Sequence, residues 1–519
     1  MSQIFKYVYD TKKFTRKEVY AAIGILNSKK DNGEELTFDD EHISFFTKQI
    51  LNIYIKRCES HNFIDFSGLI YKAIELLENS EEIRNKLQNN FKYITVDESQ
   101  DTNVSQYRLI NLLGNKWKNI MLVGDPDQSI YRWRNARYQN VLEFIETYEN
   151  CKVLPLAKNY RSTPEIIQAA SDLIKFNKDR IQSTFETDNK SGNDVQCYEY
   201  TNNRDEAYRI ADKVNHLINN EGWSTKDIVI LYRVNAMSEP LEQAFSYKNI
   251  PYKVIGGYSF YDRKEIRDCC AMLKFLTNKK DFLAFQRISF FIKGLGATTV
   301  KKIEELALQD DINLLEATKY IKDNSRPKIA EACQKFIDVY DKTYDLSNAS
   351  GALGSLIEGF KIEDYLNTLD NSSDRINNVN QMIEAAALYN NKGGVISYLQ
   401  QISLMSAADK DSNGTISLMT IHSSKGLEFP IVFIIGINEG ILPHAFSIQE
   451  EEIQEERRLL YVGISRAQKQ LYLTYVKFKK VYVNKILEDM PIDPSRFLTE
   501  MGFIEEKPNG SDEQLYQAY

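Results

Sequence analysis

The chain has 519 residues, 43% of them hydrophobic and 27% charged, with a net charge of −8 at pH 7. That length allows three or four domains, and the composition excludes a wholly disordered or fibrous chain. The acidic balance excludes nucleic-acid binding through the overall field, so any such binding needs a local basic or aromatic groove. Six scattered cysteines show neither a disulfide framework nor metal-ligand spacing to a histidine, which points to a reducing, cytoplasmic setting. The start, MSQIFKYVYDTKKFTRKEVY, has no apolar signal region, and the longest apolar run, IVFIIGI at 431–437, is far too short for a membrane span.

Residues 1–64 read as helices. RKEVYAAIGILNSKK and ISFFTKQILNIYIKRCESHNF repeat apolar residues every three or four positions. From Asp65 the texture changes. FKYITVDE and KNIMLVGDPDQ are apolar runs ending in acidic turns, with helical stretches between them. This is the pattern of parallel strands in an α/β sheet, whose functional residues sit at the strands' carboxyl ends. A second α/β region begins near Cys151, with DVQCYEY, DIVILYR and YKVIGG as strands. Residues 278–411 read as a helical block, and strands return at TISLMTI, FPIVFIIGI and QLYLTYV. The expected division is a helical segment 1–64, an α/β segment 65–152, a second α/β domain built from 153–277 and 412–482, the helical insertion 278–411, and an extension and tail 483–519.

Five stretches carry chemistry. In YITVDESQDTN a strand ends in Asp97 and Glu98, a pair suited to hold Mg²⁺ through water and to orient an attacking water, although Asp-Glu is also a common acidic turn. In VGDPDQSIYRWRNA, Gln128 is placed to report on a terminal phosphate. Tyr131, Trp133 and Arg134 then interleave aromatics with a cation, as proteins that stack single-stranded bases do. In LAKNYRSTPEII, Arg161 precedes a helix start at Thr163-Pro164, where a guanidinium can reach a phosphate or form a surface ion pair. In LMTIHSSKGLEFP, Thr420, His422, Ser423 and Ser424 form a polar loop after a strand, suited to phosphate contacts. In EERRLLYVGISRAQ, Arg466 reads either as an arginine finger or as part of a solvated helix face.

Taken together and in order, DESQDTN, GDPDQSIYRWRNA, NYRS, ILYRVNAMSEPLEQAF, GGYSFYDRKEIRD, TIHSSKGLEFP and ERRLLYVGISRA resemble the UvrD/Rep/PcrA family of superfamily 1 DNA helicases, over about residues 1–480. The resemblance implies two RecA-like motor domains with helical insertions and ATP bound between them. It also implies 3′-to-5′ movement along single-stranded DNA, splitting the duplex ahead at the single/double-strand junction, in repair or replication. Carried over by motif, Asp97 would hold Mg²⁺, Glu98 would be the general base, and Gln128 would sense the γ-phosphate. Arg161 and Arg466 would approach that phosphate from the second domain. Tyr160, Glu428 and Gly426 would contact the nucleotide. Tyr131, Trp133, Arg134, Thr420 and His422 would hold DNA. Gly294, Gly296 and Thr298 of GLGATT would meet a duplex phosphate through a helix start.

Three departures stand out. Ser99 occupies a position usually large and apolar, and Asn135 replaces a glycine, which costs that loop conformational freedom. The third is larger: no Gly-Lys dipeptide occurs anywhere, so these residues contain no phosphate loop. The first motor domain is therefore expected to be incomplete, with YITV and IMLV exposing an unpaired apolar edge. Two readings follow. In the first the chain is the larger part of an ATP-driven helicase whose phosphate loop comes from a separate polypeptide or an upstream start. In the second it is a non-catalytic DNA-binding or regulatory remnant.

Overall fold

The computed structural model describes residues 14, 16–38, 43–178, 180, 185–256, 259–342, 344–369, 371–408, 415–483 and 486–505. Its strands are β1 (Ile94–Val96), β2 (Ile120–Leu122), β3 (Gln196–Tyr200), β4 (Ile228–Tyr232), β5 (Tyr252–Ile255), β6 (Ile416–Thr420), β7 (Phe429–Ile434), β8 (Ala467–Val476), β9 (Phe478–Val483) and β10 (Ile486–Pro491). This is the α/β motor architecture with helical insertions that the motif order predicts, with two parallel sheets and an antiparallel β9–β10 pair among the described residues.

The larger sheet has six parallel strands in the order β3-β8-β7-β4-β6-β5. Its central strand β4, IVILY, is buried along its whole length, as a sheet covered on both faces requires. Each fully buried aliphatic side chain there contributes about 1.5–3 kcal/mol. One face packs on helices Pro164–Ile174 and Glu450–Ile464 through Leu173, Val432, Ile434 and Leu460; the other packs on Asn203–Asn219 and Ser238–Tyr247 through Val214, Ile230, Phe245 and Phe433. Pro164 stands at the first position of its helix, where its missing N–H costs nothing.

Strand β5 lies at the sheet's edge and pairs with β6, yet some 160 residues separate them in sequence. The helices between them form their own apolar cluster, running from Phe260 through Phe275, Phe285, Phe336 and Leu353 to Ile402. The insertion thus leaves and re-enters the sheet between neighbouring strands.

The smaller sheet differs in kind. β1 and β2 pair in parallel, Ile94 with Ile120 through Val96 with Leu122, and among the described residues with nothing else. Neither strand has a fully buried residue. Tyr93, directly before β1, is 81% exposed, and Leu154 and Leu156, in the stretch after helix Gln139–Thr147, are 80% and 82% exposed. The N-terminal helices Arg16–Asp31 and Phe45–Ser60 have a separate small core of Val19, Leu26, Ile50 and Tyr54. Asp65 caps the next helix through Gly68 N and receives Lys30 Nζ at 2.7 and 2.8 Å in a buried ion pair, which ties that core to the α/β part. No helix among the described residues is long and apolar enough to cross a membrane.

Candidate functional site

The carboxyl ends of β1 and β2 face the second domain across a cleft. After β1, Asp97 Oδ1 accepts the backbone N–H of Glu98 at 2.9 Å. Glu98 adopts a left-handed conformation, φ +50°, which few non-glycine residues hold. That turn lifts the Glu98 side chain into the cleft, where it is 58% exposed. Gly124 follows β2, and a Cβ there would strike the Gln100 side chain and Ser99, so the two turns approach as closely as they do only because that residue is glycine. Ser99 itself is buried, its N–H bonded to Val123 O. Gln128 then closes a short turn, its amide donating to Asp125 Oδ2 at 2.9 Å.

Cations arrive from the opposite wall. Arg466 Nη2 donates to Gln128 Oε1 at 3.1 Å, and its other bonds go to Val462 O, Leu427 O and Ser465 Oγ. Every one of these partners is neutral. Arg466 is 2% exposed, and burial together with the neighbouring Arg161 pulls its guanidinium down to about 10. A buried cation bonded only to neutral groups, beside a second cation, favours an anionic ligand. Arg161 donates to Glu428 Oε2 at 2.6 Å and to Ser465 O at 3.0 Å. Gln468 holds the other Glu428 oxygen at 2.9 Å. Lys158, Asn159, Tyr160, Arg161, Glu428 and Gln468 line a cavity of about 440 Å³, in which the Tyr160 ring lies open. Gly426, φ +81°, forms the turn just before Glu428.

Lys425 is the residue that sequence reasoning passed over. Its ammonium lies 2.5 Å from Asp101 Oδ2, 3.3 Å from Glu98 Oε2 and 2.9 Å from Gln128 O, and 5.3 Å from the centre of the Tyr131 ring. Lysine in a polar loop reads as solvated, and only the fold shows it crossing the cleft. Burial raises the Asp101 carboxyl despite this partner.

Tyr131 joins the cleft to a second group. Arg134 lies 5.3 Å from its ring centre and 4.4 Å from that of Trp133, and the two rings meet edge-on at 6.3 Å. Trp133 is 64% exposed. Tyr131 OH donates to His422 O at 3.5 Å, and Thr420 Oγ1 lies 2.9 Å from Ser423 Oγ in the same loop. Burial, with Arg233 and Arg134 nearby, pushes the His422 imidazole down to about 3, so it is neutral at physiological pH. Asn135 adopts φ +62°, a conformation asparagine tolerates better than other side chains, so the lost glycine costs this loop little.

The fold therefore brings together Asp97, Glu98, Gln128, Arg161 and Arg466 at one cleft, Tyr160, Glu428 and Gly426 at its rim, and Tyr131, Trp133, Arg134, Thr420 and His422 beside it. Gly294, Gly296 and Thr298 stand apart in the helical block. Gly294 has φ +108°, and Gly296 precedes helix Ala297–Gln309 with no side-chain cap; Thr299 and Val300 N–H bond to Gly296 O, which leaves the Ala297 and Thr298 N–H groups to face outward.

Comparison with known proteins shows the family. The UvrD/REP helicase N-terminal domain family matches residues 2–149, and the UvrD-like helicase C-terminal domain family matches residues 154–478. The chain is 36% identical over 512 residues to the ATP-dependent DNA helicase PcrA of Staphylococcus epidermidis, covering 95% of this chain and 69% of that protein. To the Staphylococcus aureus protein of the same name it is 35% identical over 520 residues, with the same shares covered. With both family domains matched in order around the cleft just described, the chain belongs to the UvrD-like DNA helicase family.

Proposed function

We propose that the chain carries most of an ATP-driven 3′-to-5′ DNA translocase and helicase, acting in the cytoplasm on single-stranded DNA and its junctions with duplex, with 65–152 and 153–277 plus 412–482 as its two motor halves. The observation that carries this reading is Arg466, a buried guanidinium bonded among the described residues to neutral groups, donating to Gln128 across the cleft, with Arg161 and Glu98 near it. That donor set fits the terminal phosphate of a nucleotide and a hydrated Mg²⁺. When bound, Mg²⁺ would offset charge on the phosphate oxygens. Asp97 would hold it through water, and Glu98 would orient and deprotonate the attacking water. Gln128, Arg161 and Arg466 would hold the γ-phosphate oxygens, and Tyr160 and Glu428 the base and ribose. Arg161 pairs with Glu428 and Lys425 approaches Glu98, so a nucleotide held by these groups would exchange partners with them. The phosphate cradle has no counterpart among these 519 residues, and we assign it to a polypeptide segment outside them.

The DNA half of the reading is tested by direct binding. Trp133→Ala is expected to weaken oligothymidylate binding by about 1–3 kcal/mol, the usual value of one aromatic–base stack. Unchanged affinity would exclude Trp133 from the DNA path. Because His422 is neutral, His422→Gln should weaken binding without altering the salt slope, and without introducing pH dependence between pH 6 and 8. A slope reduced by about one would show that His422 acts as a cation.

A further inference from the structure

We propose that Arg180 is a positioning residue. It fastens the turn that carries Gln128 and the DNA aromatics to the second motor domain, and forms the contact about which the two domains pivot. Arg180 follows helix Pro164–Ile174, and its fork closes on Asp127: Nε donates to Oδ1 at 2.9 Å and to Oδ2 at 3.0 Å, and Nη2 donates to Oδ2 at 2.7 Å. The Arg180 and Asp127 side chains are only 13% and 5% exposed.

Asp127 lies in the turn Pro126–Gln128, directly before the phosphate-facing Gln128 and four to seven residues before Tyr131, Trp133 and Arg134. The first domain holds this segment through Gln100, whose side chain accepts Asp125 N at 3.1 Å and whose carbonyl accepts Ser129 Oγ at 3.2 Å. Among the described residues Lys425, Arg466 and Arg180 reach it from the second domain, and Arg132 of the segment itself donates to Glu455 through its backbone N–H at 3.1 Å and to Glu451 at 3.0 Å in an exposed pair. Lys425 and Arg466 bond to Gln128 and also face the groups assigned to the nucleotide, so a bound phosphate competes for them. Arg180 faces neither nucleotide nor DNA. A two-pronged, nearly dry guanidinium–carboxylate pair is costly to break, because parting leaves two buried charges unpaired. Arg180–Asp127 is therefore the buried ion pair that persists while Lys425 and Arg466 exchange partners, and it fixes where the Gln128 turn and the aromatic loop sit relative to the second domain.

The inference rests on the DNA assignment of Tyr131, Trp133 and Arg134, and the experiment separates the two. Binding of labelled oligothymidylate to the full chain is measured over a series of NaCl concentrations for Arg180→Ala, Asp127→Asn, the double variant and Trp133→Ala. Arg180→Ala is expected to lower affinity by about fivefold or more through coupling alone. The salt slope should stay at the wild-type value, and Asp127→Asn should cause no further loss when added to it. Hydrogen exchange should rise in the segment 125–135 while strands β4 and β7 keep their protection.

Unchanged affinity in Arg180→Ala, with Trp133→Ala weakened, overturns the pivot and leaves the DNA reading standing. Unchanged affinity in Trp133→Ala overturns the DNA reading and the inference with it. A slope lowered by about one makes Arg180 a phosphate contact instead, and a uniform rise in exchange makes it a general stabiliser; each overturns the proposal. Should Arg180→Ala fail to fold, Arg180→Lys, which keeps the charge and loses the fork, gives the same readouts at smaller amplitude.

Discussion

The purified 519-residue chain is expected to hydrolyse ATP no faster than its Glu98→Gln variant, with or without single-stranded DNA. Phosphoryl transfer is catalysed almost entirely by positioning and charge, and the amides and lysine of a phosphate loop supply a large share of both. On the proposed reading the cleft would provide the other share, from carboxylates on one wall and Arg161, Lys425 and Arg466 on the other. Without a cradle for the inner phosphates, Gln128 and Arg466 have no fixed terminal phosphate to act on. Fusion behind a segment carrying a Gly-Lys-Thr loop from a PcrA relative, or co-expression with one, should produce hydrolysis stimulated by DNA. In that assembly Arg466→Ala is expected to lower kcat by about a thousandfold, the usual weight of an arginine finger. Glu98→Gln should lower it by a factor of about 100 to 10,000 as a lost general base. DNA-stimulated hydrolysis by the chain alone, abolished in Glu98→Gln, would sink the requirement for an outside loop. Full activity of Arg466→Ala in the assembly would remove that residue from the phosphate site.

How far these roles could be read from sequence depends on how local each signal is. Strand ends were legible because an apolar run closing in an acidic or glycine turn announces itself within ten residues, as at YITVDE and IMLVGDPDQ. The helix start at Thr163-Pro164 was legible for the same reason. Partnerships across the cleft were not. Arg466 meets Gln128 over 338 positions, Lys425 meets Asp101 over 324, and Arg180 meets Asp127 over 53. Each of these cations is chemically indistinguishable from a solvated one until the strand order is known. Backbone strain was equally hidden: nothing in DESQ signals that Glu98 turns left-handed, whereas the asparagine at 135 does tolerate the φ its loop adopts. The two-stranded sheet shows the limit in the other direction, because the residues of β1 and β2 are strand formers whose neighbours in the sheet are a property of the whole fold.

A second large effect is expected in the pH dependence of stability, from Glu206. This carboxyl is buried against the six-stranded sheet, accepting Thr474 Oγ1 at 2.5 Å and Gly436 N at 3.1 Å, with no cation bonded to it among the described residues. Burial raises it from 4.5 to about 7. Below pH 4.5 it is protonated in folded and unfolded chains alike and has no effect. Between 4.5 and 7 the unfolded chain ionises while the folded chain does not, so folded stability falls as pH rises; above 7 the loss is constant, at roughly 3 kcal/mol. Glu384, raised to about 7 mainly by burial, acts in the same window and direction. His422 acts with opposite sign, costing stability as pH drops from 6.5 toward 3 because only the unfolded imidazole gains a proton. A wild-type profile alone mixes these contributions, and a difference separates them. Urea midpoints of wild type and Glu206→Gln, converted to free energies, should diverge in favour of the variant as pH rises from 4.5 to 8. The amide keeps the acceptor for Thr474 and Gly436 but brings N–H groups that need partners, so the change in the difference with pH is the diagnostic quantity, not its absolute value. A difference that stays flat across this range would mean that Glu206 ionises in the folded chain as it does in the unfolded one, with water or a cation reaching it beneath the sheet.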